Sequence, residues 1–176
     1  MNTSARTLRA ITVAAALLLT AAVPLTASAA PPRCATSGLA VWVGIGLGQS
    51  AAGSTYYPIE LTNVSGQTCR LFGFPGVSAH DGEQQVGSPA RWDHSVPAAA
   101  VTLAPGATAH TVLQIVNVEN FPAETCVPAA ATSLEVYPPN QTTATSIPLG
   151  FSACSVEGKI FMNVQPIQPG VGVPGY

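Results

Sequence analysis

From Leu39 onward apolar residues recur at every second position: Leu39, Val41, Val43, Ile45 and Leu47 fall on one face, and Trp42, Gly44, Gly46 and Gly48 on the other. Successive side chains of an extended chain point to opposite sides, so this pattern predicts a half-buried strand. The next run, Thr55 to Asn63, sets Tyr57, Ile59 and Leu61 inward against Tyr56, Glu60 and Thr62 outward, and is expected to pair with the first. Pro58 lacks an N–H, which implies a bulge or a sheet edge there. The same alternation places Thr111, Leu113 and Ile115 inward, then Leu134 and Val136, then Ile160, Met162 and Val164. One helical turn is expected between Asn117 and Cys126, and no longer helical stripe exists. About seven to nine short strands at roughly ten-residue intervals, separated by Gly, Pro, Asn and Ser, predict an all-β fold. The expected architecture is an antiparallel, immunoglobulin-like β-sandwich, with a closed barrel as the alternative.

The turns carry their own signals. In Asn63–Gln67, "NVSGQ", Asn63 can bond a nearby backbone amide and Gly66 can take a positive φ. Asp81-Gly82 is a two-residue hairpin signal. A turn centred there makes facing residues pair so that His80 sits beside Glu83, His94 faces Cys69, and Arg70 lies opposite Asp93 on a return strand interrupted near Pro89. A further turn falls at Pro105 and Gly106.

Composition changes the picture at the start of the chain. Arg6 and Arg9, the apolar run Ile11–Val23 and the small residues Ala27, Ser28 and Ala29 have the layout of an export signal spanning residues 1–29. Residues 30–167 are then expected to form one β-sandwich domain, and the Pro/Gly-rich segment 168–176 a loosely ordered tail. Removing the signal leaves four cations against eight anions, a net charge of −4. With Lys159 the sole lysine and no basic stripe, nucleic acid is not an expected partner. Nothing after the signal is long and apolar enough to span a membrane. Charged residues make up 8% of the chain, so uncharged polar side chains must cover the surface, which suits a cell wall or culture medium. Four cysteines in an exported chain imply two disulfides, with three possible connectivities, and no C-x-x-C spacing suggests redox or zinc chemistry.

The stretch Leu61–Gly76, "LTNVSGQTCRLFGFPG", together with Cys34, "APGATA" at Ala104–Ala109 and "LEVYPPN" at Leu134–Asn140, resembles the domain of unknown function 4232 family. The resemblance implies an exported or lipid-anchored actinobacterial protein with a disulfide-bearing β-sandwich, and it lends no activity. Pro31, Pro32 and Arg33 before Cys34 do not make a lipidation site, so a secreted form is expected. Antiparallel return of the first two strands brings Asn63 near Cys34, one turn before Cys69. Cys126 likewise precedes the strand through Leu134, whose start lies near the end of the run that reaches Cys154. The expected pairs are therefore Cys34–Cys69 and Cys126–Cys154.

Candidate chemistry is sparse. "GQSAA" at Gly48–Ala52 lacks the second glycine of a nucleophile elbow, and "GLGQSA" has no helix after it to bind a dinucleotide. His80 and His94, with Asp81 and Asp93, are separated by about 36 Å of ideal ribbon in the expected hairpin, so they do not share a metal. Glu119 and Glu124 read as loop charges, and the sequon residues Asn63 and Asn140 as turn residues. No catalytic residue, metal or cofactor is expected. The binding candidate is Trp42, whose indole would stand beside the bare positions Gly44 and Gly46 as a ledge for a flat apolar or sugar surface. The expected function is a secreted, non-enzymatic envelope or extracellular binding module whose partner is a cell-wall polymer or another extracellular protein. A hydrolase with a site assembled from distant residues is the alternative.

Overall fold

The computed structural model describes residues 29–44 and 49–172. The export signal apart from Ala29, and Ile45, Gly46, Leu47 and Gly48, lie outside the described residues.

Among the described residues thirteen strands follow one another: β1 Leu39–Val43, β2 Gln49–Ala51, β3 Ser54–Asn63, β4 Cys69–Phe72, β5 Gly76–Asp81, β6 Gln84–Gln85, β7 Arg91–Trp92, β8 Ala100–Leu103, β9 Thr108–Val116, β10 Pro128–Tyr137, β11 Thr145–Cys154, β12 Met162–Val164 and β13 Gln168–Pro169. Five of these are only two or three residues long, and the remaining eight account for the expected number of full strands. Single 3-10 turns at Thr36–Gly38 and Val118–Asn120 complete an all-β fold. The largest sheet runs β1-β3-β9-β12-β7, with β2 also on β3 and β13 also on β9; β11-β10-β5-β6 and β4-β8 form two further sheets. Pairing is antiparallel throughout except between β12 and β7.

Alternation places the core. Ile59, Leu61, Leu113, Met162 and Val164 of the large sheet, Leu134 and Val136 of β10, and Leu71 and Leu103 of the β4–β8 pair are buried in one cluster. Pro58 sits in a long central strand, but its carbonyl accepts the Gly44 N–H at 2.7 Å just where β1 ends and before β2 begins. Phe161, placed outward by alternation, is fully buried, because β12 begins one residue later and the chain before it is not extended strand.

Other sequence expectations are corrected. The run from Cys69 to His80 is two strands in different sheets, so Arg70 pairs with Thr102 and Cys69 with Leu103, not with Asp93 and His94. The hairpin after β5 pairs Asp81 with Gln84 and His80 with Gln85. Gly82 (φ 60°) and Glu83 are its central residues, so glycine occupies the first loop position and Asp81 stays in the strand. Gly66 is not among the residues with positive φ; the turn is made instead by the Asn63 side chain, whose Oδ1 accepts the Ser65 N–H at 3.0 Å. The ordered body also extends past residue 167, since β13 pairs with β9 and the Gly172 N–H bonds Glu60.

The disulfides join Cys34 to Cys69 and Cys126 to Cys154, with Cα–Cα distances of 4.9 and 5.2 Å. The first ties the segment before β1 to β4, where Arg33 and Arg70 also bridge; the second ties the start of β10 to the end of β11, which already pair through Pro128 and Cys154.

Candidate functional site

Register across the large sheet decides which polar residues share its outer face. Directly paired residues point to the same side. Because Ile59, Leu61, Leu113 and Ile115 face the core, their neighbours Pro58, Glu60, Val112 and Gln114 belong to the opposite side. Two rows result. Trp42, Glu60, His110 and Gln168 line up across β1, β3, β9 and β13, and Tyr56, Gln114, Asn163 and Arg91 line up across β3, β9, β12 and β7.

In the second row the side chains are joined. The Arg91 Nε–H donates to Asn163 Oδ1 at 3.2 Å, Asn163 Nδ2 donates to Gln114 Oε1 at 3.0 Å, and Gln114 Nε2 donates to Ser54 Oγ at 2.9 Å and to the Tyr56 hydroxyl at 3.1 Å. Each amide is thereby oriented by its neighbours. Since the Tyr56 oxygen accepts from Gln114, its own proton is directed elsewhere. Three strand spacings of about 4.8 Å give the line a length of roughly 14 Å.

At the β7 edge where the line ends, Trp92, paired with the buried Val164, points to the other side of the sheet from Arg91 and forms an aromatic corner there. Trp92, 53% exposed, stacks on Phe74 with ring centroids 5.3 Å apart and planes 14° apart, and His94 packs against the same Phe74 at 4.7 Å. Ala90, Arg91, Trp92 and His94 line a shallow depression of about 410 Å³. Asp93, between the two rings in sequence, accepts the Ser95 N–H, and that bond chiefly holds its carboxyl below the usual range. The corner thus presents an aromatic ledge with one cation and one anion beside it.

The Trp42 row differs. Trp42 is 41% exposed, but the ledge beside it is not bare: Gly44 is buried, and a Cβ there would lie 2.9 Å from both Pro58 Cγ and Glu60 Oε1. Gly46 lies outside the described residues. Glu60, 1% exposed, accepts the Gly172 N–H on Oε1 at 2.8 Å and has no partner on Oε2 among the described residues. Loss of hydration raises its pKa, against the opposing pull of the Gly172 bond and of His110. His110 in turn donates its Nδ1–H to the Gly170 carbonyl at 3.0 Å.

The remaining candidates disperse. His80 bonds Ser78 on β5, in a different sheet from the β7 edge beside His94. Ser50 lies in β2 and forms an ordinary hairpin with β3. Glu119 and Glu124 are exposed; Asn63 is buried in its turn and Asn140 bonds the Phe72 carbonyl. Among the described residues no three His, Cys, Asp or Glu side chains converge to hold a metal ion. The line from Tyr56 to Arg91 and the Phe74–Trp92–His94 corner were missed in the sequence, where "RWDH" at Arg91–His94 is the one local sign of them.

No curated protein matches the chain. The model of the domain of unknown function DUF4232 matches residues 34–168, from the first disulfide cysteine to the first residue of β13. A match over that span, most of the chain, shows that this protein belongs to the DUF4232 family.

Proposed function

We propose that the protein is an exported, non-enzymatic binding module of the cell envelope or extracellular space, and that it holds a hydroxyl-rich polymer, such as a cell-wall glycan, along Tyr56–Gln114–Asn163–Arg91 and, round the exposed β7 edge, against Trp92. The observation that carries this reading is the hydrogen-bonded line of oriented amides that reaches the exposed β7 edge, with a stacked, exposed indole just round that edge. A sugar ring offers apolar C–H faces to an aromatic and hydroxyls to fixed donors and acceptors, and side chains already held in place lose little entropy on binding. Export is supported by the signal-like first 29 residues, by two disulfides, which persist in oxidising compartments, and by the low charge content. No helix among the described residues is long and apolar enough to cross a membrane. The raised carboxyl of Glu60 beside His110 is what favours the hydrolase alternative, but the Gly172 segment covers that carboxyl.

Co-sedimentation of the mature protein with protein-free cell-wall glycan tests the reading. Trp92→Ala should weaken binding about 2- to 12-fold, the equivalent of the roughly 0.5–1.5 kcal/mol of an aromatic contact, without changing the melting temperature. Trp42→Ala, on the other row, should bind as the parent does. Absence of glycan binding, or equal affinity of the Trp92 variant, overturns it.

A further inference from the structure

After β13 the chain leaves the plane of the sheet. Gly170, with φ 81°, donates its N–H to the Thr108 carbonyl at 3.0 Å and turns the backbone over the outer face. Residues 170–172 then cross β9 and reach β3. Two side-chain bonds hold them there, His110 Nδ1–H to the Gly170 carbonyl and the Gly172 N–H to Glu60 Oε1. The fit is tight at the end of this path: a Cβ on Gly172 would lie 2.6 Å from Pro58 Cβ and 3.2 Å from His110 Cδ2, so only glycine allows the approach. Val171 stays 68% exposed, and little apolar burial secures the crossing.

Beneath it lies Glu60, buried, with Oε2 unpartnered among the described residues. Gln168 Nε2, on the same row beyond His110, is also buried without a partner among the described residues. A buried carboxylate oxygen with no donor is costly, whereas a protonated carboxyl there is far less so, and opening the cover lets water reach the group. We propose that residues 170–172 are a strap over the Trp42–Glu60–His110 row that is closed when Glu60 carries a proton and is released when Glu60 ionises. Opening would add Glu60 and His110 to the exposed surface beside Trp42.

The sign follows from linkage. Burial holds the Glu60 pKa above its ordinary 4.5, so the closed form binds the proton more tightly than the open form. Closure is therefore fully favoured below that ordinary value and weakens as pH rises through the raised one. The titratable group facing Glu60 is His110 on β9; Trp42 and Gly44 on the β1 side, and the strap residues, do not titrate.

Hydrogen exchange of the Gly172 amide in the mature protein, read by NMR and corrected for intrinsic rates, measures the strap without any ligand. It therefore stands or falls apart from the glycan reading. Protection should be high at about pH 4 and lost toward about pH 8. Glu60→Gln, neutral at every pH, should keep the amide protected throughout. Gly172→Val should abolish protection at both ends and bring the Glu60 carboxyl, followed by its carbon chemical shift, back toward its ordinary titration. Equal protection at both pH values in the parent, pH dependence that survives in Glu60→Gln, or an unmoved Glu60 titration in Gly172→Val overturns the proposal.

Discussion

Asn63→Ala is the substitution that best tests how the chain turns from β3 into β4. The residue is fully buried, and its side chain makes four bonds. Oδ1 accepts from the Ser65 N–H at 3.0 Å and the Ser65 hydroxyl at 2.6 Å, while Nδ2 donates to the Gln67 carbonyl at 2.8 Å and, across to β8, to the Leu103 carbonyl at 2.9 Å. A net worth of about 1 kcal/mol per bond sets an upper figure near 4. Water can reach the Ser65 and Gln67 groups in the surface turn, so the loss should be about 2–3 kcal/mol, dominated by the buried contact to Leu103. For a domain of this size that lowers the melting temperature by roughly 4–12 °C. Thermal and urea unfolding with the disulfides intact would measure it. Asn63→Asp should lose more than Asn63→Ala, because it sets a second oxygen against the two carbonyls that Nδ2 now satisfies. Gly66→Ala in the same turn should stay within about 0.5 kcal/mol of the parent, since no atom lies within 4 Å of its Cβ position and the residue is not among those with positive φ. If Asn63→Ala unfolds within about 0.5 kcal/mol of the parent, the turn is not held by this side chain and the reasoning fails.

Replacing Cys34 and Cys69 together by Ser opens a loop of 35 residues and should cost about 4 kcal/mol by chain entropy, seen as a lower urea midpoint. Gly87→Ala should be among the most damaging single changes, at about 3 kcal/mol or more, because the residue has φ 66° and its Cβ would run into the Cys154 carbonyl oxygen beside Phe161. A Gly87→Ala protein that melts with the parent would show that the backbone can move there.

The strands were legible where one face is buried and the other wet. Ile59 and Leu61, Leu113 and Ile115, and Leu134 and Val136 lie where alternation sets them, because the hydrophobic effect acts on each strand separately and leaves its mark in local sequence. Pairing between strands was legible where a short return fixes it, as for β1 with β3. It was misread where a break redirects the chain: Gly73, with φ 101°, and Pro75 divide the run from Cys69 to His80, and nothing in the apolar pattern says that β4 and β5 enter different sheets. The single-residue misplacement of the loop after β5 had a similar source, since Asp-Gly fits two positions of a two-residue hairpin and only the long-range pairing with β10 selects one.

The candidate site was nearly invisible for a different reason. Tyr56, Arg91, Gln114 and Asn163 are ordinary outward-facing positions taken singly, and what makes them a line is a register among four strands, one of them the two-residue parallel β7. The two disulfides and the Asn63 turn hold strand ends and loops and make no bond to that line. The face can therefore change its side chains while the turns stay, and belonging to the family carries a scaffold rather than a ligand. The strap sharpens the point. The family match ends at Gln168, so Glu60 and His110 lie inside it and the residues that cover them, Gly170 to Gly172, lie outside. Cover and covered row are thus separable parts. A protein with the same scaffold but no glycine able to approach Pro58 would present Glu60 to water, where its carboxyl would ionise as an ordinary surface acid.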